Sequence, residues 1–448
     1  MEPVDTLLFA DWVVPVDETV HPDAMAGGAV AVRGGRIAAV CPADEARQRY
    51  QGKEEIKLGG HVLMPGLVNA HTHAAMTLLR GMADDLPLMR WLEDHIWPTE
   101  RRWVGPGYVR AGSQLAIAEM LRSGTTCFAD MYFFPDATAQ VAAETGIRAC
   151  IGMVAFDFPT PWASDLDEYL AKGLAMRDEY KGDALVSTMF APHAPYTVSP
   201  DSMARIRRLS DQLDVPIQTH LHETTDELEQ FTARYGCRPI EKLAELDMIS
   251  PLLMGVHMTQ LQAGEIDALA ERGCHVVHCP ESNMKLASGA CPVAALVAAG
   301  VNVAIGTDGA ASNNDLDMFA ELRSTAFLAK HVAADPAVVP AKKVLEMATI
   351  NGARALGLGD QTGSLTPGKW ADIISIDWRQ AATQPIHNPV SQLAYATAAA
   401  QVDHVWVAGR QLLEGGQPTR LDLNAVLASA DDWAQRLRRD RQPTDAPQ

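Results

Sequence analysis

The sequence predicts an α/β fold: a (β/α)8 barrel of the TIM type, carrying a small discontinuous β-sandwich domain built from both chain ends. Three observations predict it. The 448 residues exceed one ordinary domain but suit a large barrel with an appendage. Between Val62 and Gly306, eight apolar strand candidates alternate with segments long enough for crossover helices, which favours a barrel over an open doubly wound sheet. Short strand-like runs punctuated by Gly and Asp recur near both termini.

Taken in order, "TLLFADWVVPV", "GAVAVRGGRIAAV" and "EIKLGGHVLM" form a small sheet layer, assigned to residues 1–61. The barrel is assigned to residues 62–363. Its first strand, Val62 to Asn69, runs into "LVNAHTHAAMTLLRG" and ends at His71 and His73. Strands two and three are Thr125 to Met131 and Ile147 to Phe156. Strand four, Leu185 to Ala191, leads to His193 in "APHAPY", and strand five, Pro216 to Thr219, leads to His220, His222 and Glu223 in "QTHLHETTDE". Strand six, Leu252 to Val256, leads to His257. Strand seven, His275 to Cys279, carries His275 and His278, whose expected use is packing or a hydrogen bond. Strand eight, Val301 to Gly306, leads to Asp308 in "IGTDGAASNN". Residues 364–448 complete the sandwich domain through "GSLTPGKWADIISID" and "VDHVWVAGRQLL"; the tail from Asp431 reads as a polar helix running into disorder.

Composition excludes several partners. A formal net charge of -19 repels nucleic acid and anionic membrane surfaces, leaving a small molecule as the expected ligand. No run of eighteen apolar residues occurs, and the start "MEPVDTLLFADWVVPVDE" is acidic where a signal peptide is basic, so a cytoplasmic location is expected. The seven cysteines are scattered without a C-x-x-C pair, which indicates reduced thiols rather than a zinc knuckle or disulfide framework.

Barrels of this kind carry their sites where strands end. A lone histidine there is commonly a hydrogen-bonding residue; ionisable residues at the ends of five strands of eight point to a shared site. Residues two apart on a strand face the same way, so His71 and His73 can grip one ion. Imidazole suits zinc and other borderline divalent metals, and a catalytic site needs about three or four protein ligands with a position left open. His220 and Asp308 complete the set, with His222, of the same parity as His220, as competitor. Periodicity leaves both open. His21, His61, His95, His331, His387 and His404 have no partner in the sequence and read as structural or surface residues.

Together, "PGLVNAHTHAAMTLLRG", "APHAPYTVS", "THLHET", "HCPESNMKLASG" and "GTDGAASNN" resemble the amidohydrolase superfamily, and within it the methylthioadenosine/S-adenosylhomocysteine deaminases, over essentially the whole chain. The resemblance implies His71, His73, His220 and Asp308 as metal ligands, which selects His220 over His222. Binuclear members bridge two ions through a carboxylated lysine ending strand four; here "LVSTMFAPHAPY" has none, and Lys181 precedes the strand, so one metal is expected. Zinc is the expected ion, with iron, nickel and manganese as alternatives. Such a metal brings the pKa of its water down toward about 7. Asp308 can then take the water's proton, Glu223 protonates the heterocycle as general acid, and His257 orients the water and steadies the developing oxygen charge. Alone, Glu223 reads equally as a charge at the head of the helix "TTDELEQF".

Substrate contacts follow from the same resemblance. In "GMADDLPLMRWLEDHIWPTERRW" the family's Trp and Glu map to Trp91 and Glu100: a flat apolar surface for a base or thioether, and a carboxylate that accepts from both ribose hydroxyls. His193 adds a nucleoside contact. Family members that take S-adenosylhomocysteine carry arginines after strand three, but Ile151 to Leu170 contains neither Arg nor Lys. A methylthio group would instead sit against Phe156, Phe158 or Trp162. The expected reaction is deamination of 5'-methylthioadenosine, with S-adenosylhomocysteine and adenosine as weaker substrates, in a homodimer or homotetramer. The alternatives are a deaminase or chlorohydrolase of guanine, cytosine or a triazine, and a non-catalytic scaffold, against which the retained ligand set and Glu223 argue.

Overall fold

A computed structural model describes residues 1–441 of the chain. The sheet layer at the N-terminus contains β1 (Glu2–Val13), β2 (Met25–Arg33), β3 (Arg36–Pro42) and β4 (Tyr50–Pro65). Eight strands follow in the barrel: β5 (Leu67–Thr72), β6 (Thr125–Asp130), β7 (Arg148–Ala155), β8 (Val186–Pro192), β9 (Ile217–Leu221), β10 (Leu253–His257), β11 (His275–His278) and β12 (Asn302–Ile305). The chain then returns to the first layer through β13 (Ile373–Asp377), β14 (Val402–Val407), β15 (Arg410–Glu414) and β16 (Gln417–Pro418).

The barrel strands pair in parallel in sequence order from β5 to β12. Every residue of β5, β6 and β7 is buried, as parallel strands covered on both faces require. Closure occurs at the site itself. Thr72 bridges Asp308 in parallel, and the Asp308 N–H donates to the His71 carbonyl at 3.0 Å. Gly306 makes that approach feasible, since a Cβ there would lie 2.7 Å from the His71 nitrogen. Small and medium side chains such as Val68, Ala70, Cys127, Ala129 and Met189 fill the barrel floor, so a site can open only at the other face.

The second layer is one hydrogen-bonded sheet ordered β16-β15-β14-β13-β4-β1-β2-β3. It unites the chain ends because β4 pairs with β1 on one side and β13 on the other. Val30 and Val32 of β2 share an apolar cluster with Ile373 of β13, although β1 and β4 stand between them in the sheet, so the sheet curls over its own core. A buried pair ties the layer to the barrel: Arg148 donates to Asp372 at 2.8 and 3.1 Å, and Asp372 also accepts from Thr362 and the Ala408 N–H.

Two expectations are corrected. The first barrel strand is Leu67–Thr72 rather than Val62–Asn69, because Val62 to Pro65 belong to β4 of the other sheet. The C-terminal helix begins at Leu423, not Asp431; the disorder expected at its end concerns residues 442–448, which lie outside the described residues. All seven cysteines are free, six of them buried. No helix is long and apolar enough to cross a membrane among the described residues.

Candidate active site

His71, His73, His220 and Asp308 converge at the C-terminal ends of β5, β9 and β12, with one ligand atom from each lying within 4.8 Å of all the others. The Nδ1 atom of each imidazole is committed elsewhere. Gln218 donates its amide N–H to the Ala70 carbonyl, so its oxygen must accept from His71 Nδ1, at 2.7 Å. His73 Nδ1 donates to the Met131 carbonyl at 2.5 Å and His220 Nδ1 to the His193 carbonyl at 2.7 Å. Each Nε2 therefore turns a lone pair toward its neighbours. Two of them, on His71 and His220, face each other across 3.2 Å with no proton between, an arrangement that a cation relieves. Asp308 Oδ1 stands 3.4 Å from His71 Nε2 and 3.1 Å from His73 Nε2, while its Oδ2 accepts from Ser282 at 2.6 Å and Ser312 at 2.9 Å. This donor set fits a divalent metal.

Electrostatics agree with the geometry at His71 and His220; at His73 burial is outweighed by the adjacent Asp308, which pushes the imidazole up to about 9, so a metal bound there would displace a proton. Burial pushes His71 down, and burial with the neighbouring imidazoles pushes His220 down, leaving both in the neutral form that a metal binds. Burial pushes the Asp308 carboxyl up, but the adjacent imidazoles of His71 and His73 outweigh it and hold the group ionised.

Glu223 and His257 border the same cavity. Burial, reinforced by the Asp308 charge, pushes Glu223 up to about 8, so it carries a proton at neutral pH. His257 Nδ1 donates to Asn283 Oδ1 at 2.8 Å, which aims Nε2 at Glu223 Oε2, 3.9 Å away. The cavity, about 790 Å³, also contains Trp91, Glu100 and His193. Trp91 is buried and pinned by an N–H donated to the Ala83 carbonyl; Glu100 accepts from the Tyr132 hydroxyl at 2.7 Å, and burial pushes it up to about 7. His193 stacks on Phe156 at 4.7 Å.

Not every candidate raised by the sequence reaches the metal group or the cavity. His222 does not face the metal group: β9 ends at Leu221, His222 takes a left-handed φ of 54°, and its Nε2 accepts from the Ile240 N–H. The left-handed φ is what breaks the parity, since His73, likewise one residue past its strand, keeps an extended φ of -123° and faces with His71. Phe156 and Phe158 line the cavity as expected, but Trp162 does not; it is buried against Tyr169, 5.6 Å away. His278 is buried with no hydrogen-bond partner on either nitrogen, so its use is packing.

Other residues escaped the sequence reading. Gln218 sits two before His220, on the same face, and that spacing was the available signal. Ser282, Asn283 and Ser312 lie inside the quoted motifs, but their residue types announce no ligand role. Tyr132 follows β6, and Arg101, exposed at the cavity rim, is the only Arg or Lys lining it among the described residues.

Residues 62–412 match the amidohydrolase family. A 5-methylthioadenosine/S-adenosylhomocysteine deaminase of Teredinibacter turnerae is 49% identical over 434 residues, covering 97% of this chain and 98% of the relative. An adenosine deaminase from Xanthomonas campestris, solved with bound zinc, superposes with a TM-score of 0.96 at 51% identity, covering 98% of this chain and 99% of that one. An atrazine chlorohydrolase of Arthrobacter aurescens, solved with zinc, shares the fold at a TM-score of 0.88 but only 23% identity, over 96% of this chain and all of the other at 100%.

Proposed function

The chain belongs to the amidohydrolase family, and from that premise we propose that it is a zinc-dependent deaminase converting 5'-methylthioadenosine to 5'-methylthioinosine and ammonia. The observation that carries this reading is the convergence of three imidazole Nε2 atoms and Asp308 beside a buried, protonated Glu223 in one cavity. His71, His73, His220 and Asp308 would hold one zinc per subunit, and zinc in the Xanthomonas campestris structure supports that ion over iron, nickel or manganese. When bound, the cation supplies a Lewis acid that brings the ionisation of water toward neutral pH.

The chain's own residues supply the rest. Asp308, held ionised, takes a proton from water as its oxygen adds to the ring carbon bearing the amino group. Glu223 gives its proton to the adjacent ring nitrogen, so negative charge does not accumulate on the heterocycle. His257, steadied by Asn283, orients the attacking oxygen. A proton then passes to the amino group, the carbon–nitrogen bond breaks, and ammonia leaves. Trp91 offers a flat face to the base or thioether, Glu100 accepts from ribose hydroxyls, and His193 adds a further contact.

Aromatic Phe156 and Phe158 beside the cavity support a methylthio tail over a charged one. Arg101 at the rim keeps S-adenosylhomocysteine as a weaker substrate, with adenosine beside it. Ultraviolet absorbance on a panel of these three nucleosides with guanine, cytosine and a chlorotriazine tests the reading. Fastest turnover of 5'-methylthioadenosine is expected; preference for guanine, cytosine or the triazine overturns it. Metal analysis should find one zinc per chain. The same reading makes the protein a cytoplasmic homo-oligomer, dimer or tetramer, with exposed Phe327 and Val332 supporting self-association, and light scattering gives its mass.

A further inference from the structure

Glu227 lies outside the cavity and touches no predicted ligand, yet its carboxylate occupies an unusual position. It is buried, which pushes it up to about 8 against the backbone N–H groups that favour its ionised form, and it pairs with no Arg or Lys among the described residues. Its two oxygens accept instead from consecutive backbone N–H groups: Oε1 from His222 at 3.2 Å and Oε2 from Glu223 at 2.7 Å. Glu227 is the third residue of the helix Thr225–Tyr235, whose N-cap is Thr224. A glutamate there ordinarily folds back onto the N-cap N–H in a capping box. This one reaches past the cap to the two residues before it. Helix capping alone therefore does not account for it, and a buried carboxyl group without a cation is costly enough to need another return.

The peptide it holds is that of Glu223, and the grip is two-sided. Glu227 takes the Glu223 N–H, while the Thr259 hydroxyl donates to the Glu223 carbonyl at 2.6 Å. Thr259 follows His257 and Met258, both left-handed, with φ of 74° and 50°. The clamp thus joins the turn that carries Glu223 to the turn that carries His257, and it does so where His222, at φ 54°, departs from strand geometry.

We propose that Glu227, with Thr259, is a positioning residue that fixes the Glu223 backbone so that its carboxyl meets the substrate's ring nitrogen; this rests on the reading of Glu223 as general acid. A carboxyl group offers the two acceptor oxygens that two adjacent N–H groups need. An amide offers one, and turns its own N–H toward the other.

The test compares the zinc-loaded full chain with Glu227→Gln, Glu223→Gln and the double variant, using 5'-methylthioadenosine. Glu227→Gln should lower kcat by about 10- to 100-fold, the scale of a misplaced catalytic group, with KM within about two-fold and metal content unchanged. In the Glu223→Gln background the same change should cost almost nothing further, because a residue acting through Glu223 has no effect once Glu223 is lost. A kcat within about three-fold of wild type, a loss shared with KM or metal content, or an undiminished loss in the Glu223→Gln background overturns the proposal. Should Glu223→Gln alone retain full kcat, the acid assignment itself fails, which is a separate result. If Glu227→Gln does not fold, Thr259→Val probes the clamp from its other side: a loss confined to kcat supports the proposal, and an unchanged kcat overturns it.

Discussion

At the scale of single residues, the site depends on groups whose charge state is set by burial. Glu223 is pushed up to about 8, and a general acid works only while protonated. The sign follows directly: kcat/KM should hold through neutrality and fall as pH rises through the Glu223 pKa, with a bound dication drawing that limb to about pH 8 or below. A pH–rate profile of Glu223→Gln should lack the limb. Gln218 permits a second prediction, since it fixes the His71 tautomer. Gln218→Ala should weaken metal affinity roughly 10- to 100-fold, read by competition with a chromophoric chelator. His71 and His73 were legible because residues two apart share a strand face. His222 was not, because its left-handed φ ends the alternation that paired it with His220.

At the scale of elements, eight barrel strands were legible because parallel strands buried on both faces leave near-continuous apolar runs. The misplaced start of the first barrel strand has the same cause: the end of β4, Val62 to Pro65, and β5 are both apolar and only Gly66 separates them, so composition does not mark where one sheet yields to the other. The residues by which β5 meets β12 were invisible for a different reason, since closure is a contact between residues more than two hundred positions apart. It rests on Gly306. A Cβ there would sit 2.7 Å from the His71 nitrogen and 2.9 Å from both its Cβ and carbonyl oxygen, backbone that has no room to move without dragging the ligand. Gly306→Ala should lower stability by about 1–3 kcal/mol. It should also reduce bound metal, because His71 must shift; a thermal melt and metal analysis of the same preparation read both.

At the scale of the whole molecule, the chemistry is enclosed within the barrel while selectivity is left to its rim. The metal group lies at strand ends over a filled floor, Glu100 is buried part-way out, and the next residue, Arg101, is exposed at the cavity mouth. On the proposed reading, a nucleoside with its base at the metal group and its ribose at Glu100 would project its 5' substituent away from the metal, toward that mouth. A methylthio group would end there against aromatic side chains. An amino-acid tail brings a carboxylate into a chain of net charge -19, where Arg101 is the only Arg or Lys on the cavity wall among the described residues. The absence of arginine after β7 was readable from sequence; the arrival of one from the helix Trp97–Trp103 was not, because that helix reaches the same cavity only in the folded chain. An ion pair at an exposed rim contributes about 0.2–1 kcal/mol. Arg101→Gln should therefore lower kcat/KM for S-adenosylhomocysteine by up to roughly five-fold while leaving 5'-methylthioadenosine unchanged. Arg101→Glu should widen the gap, because repulsion replaces attraction. Equal effects on the two nucleosides would mean that the tail does not meet Arg101 and that the carboxylate remains in solvent.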